Sequence, residues 1–218
     1  MRLNAVRRRF PNAIEQAGRA LDRPVVFPSA MRVAIVALTL IVVGLPAAAE
    51  DLATRLASCQ ACHGEKGQSQ TPEVPSLGGQ TAPYSLIQLY LFREKQRAFE
   101  PMNEAAKGFS DDDLRDVADF IAKLPPPAPP TEASDTARLE RGAAMAEKYR
   151  CNICHGANFS GQENVPRLAA QREDYLVKTL HDYKTRARIG YDASMAEVLQ
   201  PIGDDEIADL AYVIARQR

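Results

Sequence analysis

"CQACHGEKG", residues 59–67, sets two cysteines three positions apart with a histidine directly behind the second. Cys-x-x-Cys can bind zinc or cycle as a redox dithiol, and with the trailing histidine it also matches covalent haem attachment. The stretch alone does not choose among the three. A second copy does: "CNICHGANFSG", residues 151–161, takes up the other two of the four cysteines and another of the three histidines. Paired zinc knuckles stand about 15–20 residues apart, whereas Cys59 and Cys151 are 92 apart. A thioredoxin-like dithiol wants a βαβ setting, and no alternating strand pattern is present. Two thiols on one helical turn can add across the two vinyl groups of haem while the adjacent histidine turns toward the iron. The expected attachment residues are Cys59, Cys62, Cys151 and Cys154, and the expected proximal ligands are His63 and His155.

The repeat runs far beyond the motif. At offsets of 91–93 residues, "VPSLGGQ" (74–80) pairs with "VPRLAAQ" (165–171), Tyr84 with Tyr175, and "FREKQR" (92–97) with "YKTRAR" (183–188). "SDDDLRDVADFIA" (110–122) pairs in turn with "GDDEIADLAYVIA" (203–215). Between the copies lies "LPPPAPPTEASD", with five prolines in the six positions 125–130. Proline fixes φ and removes a donor, so this is a short, stiff linker and neither helix nor central strand. The division expected is domain 1 over 50–124, linker over 125–134 and domain 2 over 135–218. Domains of roughly 75–85 residues bury only about 60% of their unfolded surface, so each gains from a large apolar cofactor at its centre.

Apolar residues recur at helical spacing. Leu114, Val117, Ala118 and Ile121 fall at i, i+3, i+4 and i+7, and Ile207, Leu210, Ala211 and Ile214 repeat the set. Ser110 can cap the first of these closing helices, and Asp111–Asp113 and Asp204–Glu206 put negative charge at the positive end of each macrodipole. Leu139, Gly142, Ala143, Ala146 and Tyr149 form a similar stripe leading into Cys151. Middle helices are expected over 82–97 and 172–188. The fold class is all-α, with three main helices per domain and long ordered loops.

The sixth iron ligand must come from further along each copy, and each offers one methionine at an equivalent place, Met102 and Met195, eight residues before the cap position of the closing helix. A methionine is ordinarily a core gap-filler. These two persist where their surroundings diverge, "AFEPMNEAAKGF" against "GYDASMAEVLQPI", which favours ligation. Met145 reads as packing, and His181, which has no counterpart in the first copy, as a partly exposed helix residue. Pro75 and Pro166 follow their histidines by 12 and 11 positions. Their carbonyls could accept the Nδ1 hydrogen and hold each ring, as ligating histidines require.

"MRVAIVALTLIVVGLPAAAE", from Met31, has a basic residue, an apolar run of 13 residues from Val33 to Leu45, and small residues at Ala47–Ala49. A membrane-spanning helix needs about 20 apolar residues. Residues 31–49 therefore read as a secretory signal peptide cleaved after Ala49, and residues 1–30 as an extension upstream of a true start at Met31. Cleavage leaves 20 of the 27 basic and 26 of the 28 acidic side chains, a formal charge of −6. Haem propionates would add to that negative charge. No basic stripe for nucleic acid is present, and the charge favours partners with a positive docking patch.

Together the two Cys-x-x-Cys-His sites, the P-x-L-x-x-Q after each, the "F-R" or "Y-K" ending each middle helix, the methionine and the acidic-capped closing helix resemble the dihaem cytochromes c of the cytochrome c4 family. The likeness covers residues 50–218. It implies two tandem class I cytochrome c domains, each wrapped around a covalent haem c, with His63/Met102 and His155/Met195 ligation. It also implies a periplasmic electron carrier and no catalytic residues. Electrons would pass from respiratory complexes or dehydrogenases to a terminal oxidase or reductase, with any membrane association peripheral and through those complexes. The competing reading is the cytochrome subunit of an enzyme complex, such as a flavocytochrome c sulfide dehydrogenase or a quinoprotein dehydrogenase; a dihaem peroxidase would be longer and would need an open iron. One departure from the family pattern is that only about nine residues precede Cys59 after cleavage, which predicts weaker packing of the first and last helices in domain 1 and a more exposed haem there.

Overall fold

The stripe Leu114, Val117, Ala118 and Ile121 is buried on one face of a helix, as its spacing requires, and its repeat Ile207, Leu210, Ala211 and Ile214 is buried on another. The computed structural model describes residues 52–188 and 193–218, whose regular structure is helical apart from an isolated bridge between Gln162 and Val165. The expected signal segment over 31–49 and the extension over 1–30 lie outside the described residues. In the first half, α1 spans Leu52–His63, α2 Ala82–Arg93, α3 Glu100–Ala106 and α4 Asp111–Lys123. In the second, α5 spans Thr136–Lys148, α6 Cys151–His155, α7 Glu173–Lys184, α8 Ser194–Leu199 and α9 Asp204–Ile214. Among the described residues no helix is long and apolar enough to cross a membrane.

Local chemistry sets the helix ends. Ser110 Oγ accepts the Asp113 N–H at 3.1 Å while the Asp113 carboxylate accepts the Ser110 N–H at 2.8 Å, a reciprocal capping box at the start of α4. The middle helices stop short of the expected 82–97 and 172–188. Lys95 (φ 55°) and Arg186 (φ 60°), equivalent positions in the repeat, turn left-handed just past α2 and α7. The chain then doubles back, so that the Arg97 N–H reaches Leu91 O at 3.0 Å and the Arg188 N–H reaches Asp182 O at 2.9 Å. Helical propensity carried no warning of this turn, which aims two arginines at the other half.

The apolar residues gather into two clusters. One lies under α2, α3 and α4 around Phe92, Phe109, Leu114 and Val117. The other lies under α5, α7 and α9 around Leu176, Leu199, Ile207 and Leu210. α5 packs closely along α9, and among the described residues the contact between α1 and α4 is less extensive.

The described residues fall in one compact unit, and the halves meet in a polar seam. Arg188, 7% exposed, donates to Tyr84 Oη at 2.9 Å, Gln88 Oε1 at 3.2 Å and Tyr175 Oη at 3.3 Å, and Arg97 donates to the same Gln88 oxygen at 2.7 Å. Burial alone would push the Tyr175 phenol up, but Arg188 and Arg97 beside it pull it down to about 7. The linker is non-helical throughout 125–134, and its first two prolines rest against Gly78 and Gly79.

Candidate haem sites

α1 carries Cys59, Cys62 and His63 on its last turns, and Gly64 (φ 81°) then turns the chain away; a side chain there would strike the Gln68 carbonyl. The second copy is built differently. α5 ends at Lys148, Arg150 adopts φ 57°, and α6 begins afresh at Cys151, so the stripe that seemed to run straight into the motif is broken just before it. Gly156 (φ 83°) repeats the exit turn.

His63 and His155 are 7% and 6% exposed. Their Nδ1 atoms lie 2.8 Å from Pro75 O and 3.0 Å from Pro166 O, so both expected ring-holding contacts are present. A carbonyl oxygen can only accept, which places the proton on Nδ1 and leaves Nε2 with the free lone pair. Burial pushes both imidazoles below their ordinary pKa, outweighing the opposing carbonyl bond, and so favours the neutral form that binds metal. Burial pushes the Cys59 and Cys151 thiols up. An exchange-active dithiol needs the reverse. Cys62 and Cys154 are exposed, and all four thiols are unpaired with one another.

A small apolar cleft lies between α1 and α4, lined by Leu56, Cys59, His63, Leu77, Val117 and Ile121. Met102 on α3 is half-buried and packs against the first-half cluster, to which the cleft-lining Leu56, Leu77, Val117, Phe120 and Ile121 also belong. In the second half Met195 on α8 packs against the other cluster, as do Cys151 and Leu168. Met145 joins that core as plain packing, and His181 sits 3.8 Å from Asp204 on the surface of α7. An apolar cleft with paired thiols and a buried imidazole whose Nε2 is left free fits a covalently attached haem in its chemistry. Sequence reasoning missed the arginine–tyrosine seam and the two glutamines that bridge it, although "FREKQR"/"YKTRAR" and P-x-L-x-x-Q carried the signal as repeated polar positions without an assigned task.

The cytochrome c family profile matches residues 49–125. Cytochrome c4 of Thiocapsa roseopersicina is 36% identical over 180 residues, 79% of this chain and 92% of the relative. The chain belongs to the cytochrome c4 family. The crystal structure of reduced cytochrome c4 from Pseudomonas stutzeri superposes with a TM-score of 0.69 at 25% identity, covering 78% of this chain and 100% of the other. A thiosulfate dehydrogenase electron acceptor from Stutzerimonas stutzeri is 33% identical over 169 residues, 72% of this chain and 78% of the relative. As a cytochrome c4, the chain has the all-α fold of the dihaem class I cytochromes, carries two covalently bound haem c groups and transfers electrons with redox proteins as partners.

Proposed function

We propose that the chain is a periplasmic electron carrier in which residues 50–124 and 135–218 each hold one haem, joined by the linker 125–134. Cys59, Cys62, Cys151 and Cys154 form the thioethers, His63 and Met102 ligate the first iron, and His155 and Met195 the second. The observation that carries this reading is the repeated buried histidine behind a Cys-x-x-Cys pair, its Nδ1 held by a proline carbonyl in each half.

The haem irons supply a one-electron couple. The protein's part is to keep the couple closed and dry. His63 with Met102, and His155 with Met195, would hold the two irons, and a thioether ligand would favour the reduced state and raise the potential. With no position left for substrate, the chain acts as a carrier and not as an enzyme, passing electrons by outer-sphere transfer. Partners would approach the second site beside the exposed Cys154 and the solvent-facing Ile153, 63% exposed.

Donors are respiratory complexes or dehydrogenases, and the acceptor is a terminal oxidase or reductase. The likeness to thiosulfate dehydrogenase electron acceptors favours a second reading, a carrier dedicated to one dehydrogenase. An optical redox titration tests the ligation: two one-electron steps, with the long-wavelength band of sulfur-ligated ferric haem, are expected. Rapid stoichiometric carbon monoxide binding by the reduced protein would defeat it. Stopped-flow reduction by a purified thiosulfate dehydrogenase, compared with a quinol-oxidising complex, separates the two donor readings.

A further inference from the structure

The peptide group joining Pro75 to Ser76 is used at both ends. Its oxygen accepts the His63 Nδ1–H at 2.8 Å, and its N–H donates to Gln171 Oε1 in the other half at 2.8 Å. The peptide group joining Pro166 to Arg167 is used in the same way: its oxygen accepts from His155 Nδ1 at 3.0 Å, and its N–H donates to Gln80 Oε1 at 2.7 Å. Gln80 and Gln171 are the repeat-equivalent last residues of P-x-L-x-x-Q.

Neither amide is free to turn. Gln171 Nε2 donates to Ser76 O at 2.8 Å and Gln80 Nε2 to Arg167 O at 3.0 Å, so each side chain grips both backbone groups of one residue in the opposite half. Each Oε1 also accepts the next backbone N–H, Arg172 at 2.9 Å and Thr81 at 3.1 Å, where α7 and α2 begin. Both glutamines are buried.

We infer that Gln171 and Gln80 are crossed positioning residues: each sets, through one shared peptide group, the hydrogen bond to the proximal histidine of the opposite half, and so the reduction potential of the haem to which it does not belong. An N–H engaged by a good acceptor polarises its own carbonyl, and hydrogen bonds in such a chain strengthen one another, by roughly 10–30% per bond. A more negative Pro75 or Pro166 oxygen draws harder on Nδ1–H. The ring becomes a stronger donor to the iron and stabilises the oxidised state. The proton stays on Nδ1 throughout, and the only species exchanged with a partner is the electron. Amides serving merely as glue between the halves would alter stability without this crossed dependence.

This inference rests on the ligation proposed above. The test is spectroelectrochemical titration of the dihaem protein, with each couple assigned to its half through the paramagnetically shifted methionine methyl resonances. Gln171→Leu is expected to raise the first-half couple and leave the second, and Gln80→Leu to raise the second-half couple and leave the first. Gln171→Glu, which still accepts from the Ser76 N–H, is expected not to raise the first-half couple. Equal movement of both couples, movement of the variant's own half, or a lowered thermal midpoint with unchanged potentials would each overturn the inference. Wild-type protein lacking the methionine resonances would overturn the ligation reading and this one with it; their presence alongside uncrossed potentials overturns this one alone.

Discussion

Gly142 and the Asp209 carbonyl meet where α5 crosses α9, so closely that a Cβ on residue 142 would overlap that oxygen and stand 2.9 Å from Val213 Cγ1. Backbone on one side of the contact leaves little room to yield. Gly142→Ala is expected to lower unfolding stability by about 1–3 kcal/mol through overpacking, despite alanine's better helix propensity. Denaturant unfolding followed by circular dichroism checks it.

Asp209 also ties those two helices electrostatically. Arg141 Nε donates to it at 2.6 Å and Arg138 Nε at 3.2 Å. The Arg141 bond, opposed by burial and helped by Arg138, holds the carboxyl below its ordinary pKa. A carboxyl depressed in the folded state contributes stability that is fully present above the ordinary carboxylate range and is lost as pH falls through the depressed value. Melting curves of the wild type are expected to fall along that acid limb. Asp209→Asn should melt lower at neutral pH and show a flatter acid limb.

Met102→Ala and Met195→Ala each remove one thioether from a half-buried position on α3 or α8. Each single variant is expected to lose half of the long-wavelength band of sulfur-ligated ferric haem and to bind one carbon monoxide when reduced. The double variant should lose the whole band and bind two. Absorption spectra with carbon monoxide titration read both quantities.

Arg188→Leu withdraws the donor shared by Tyr84, Tyr175 and Gln88 across the seam. Leaving buried acceptors short of a donor costs about 1–3 kcal/mol, read as a lower denaturation midpoint. The Tyr175 phenol, drawn down by Arg188 and Arg97 beside it, is expected to titrate higher in the variant. In the wild type this depressed phenol adds stability as pH rises from about 7 toward the ordinary ~10 and loses it as pH falls through about 7. NMR of ring-labelled tyrosine follows the titration directly.

The two motifs, the amphipathic closing helices and the proline carbonyls were legible in the sequence because each depends on short-range spacing. Ser110 and its acidic neighbours announced their helix for the same reason. The early ends of α2 and α7 were not legible: nothing in the propensities of Lys95 or Arg186 demands a left-handed conformation, and the arginines that follow each turn bond side chains brought close only by the folded chain. Gln80 and Gln171 were visible as repeated letters. Their work stayed hidden because a side chain that bonds backbone 87 or 95 residues away leaves no local pattern. The break at Arg150 belongs to the same class, since it reorients α6 relative to α5 without disturbing the apolar periodicity of either.

The linker's first prolines lie on Gly78 and Gly79, in the same loop that carries Ser76 and Gln80 into the seam. Covalent continuity between the halves is therefore redundant with the noncovalent grip. A protease cut among residues 127–134 should yield two peptides that co-elute as one particle with two haems, and the protein would then be better described as a heterodimer that happens to be synthesised in a single piece.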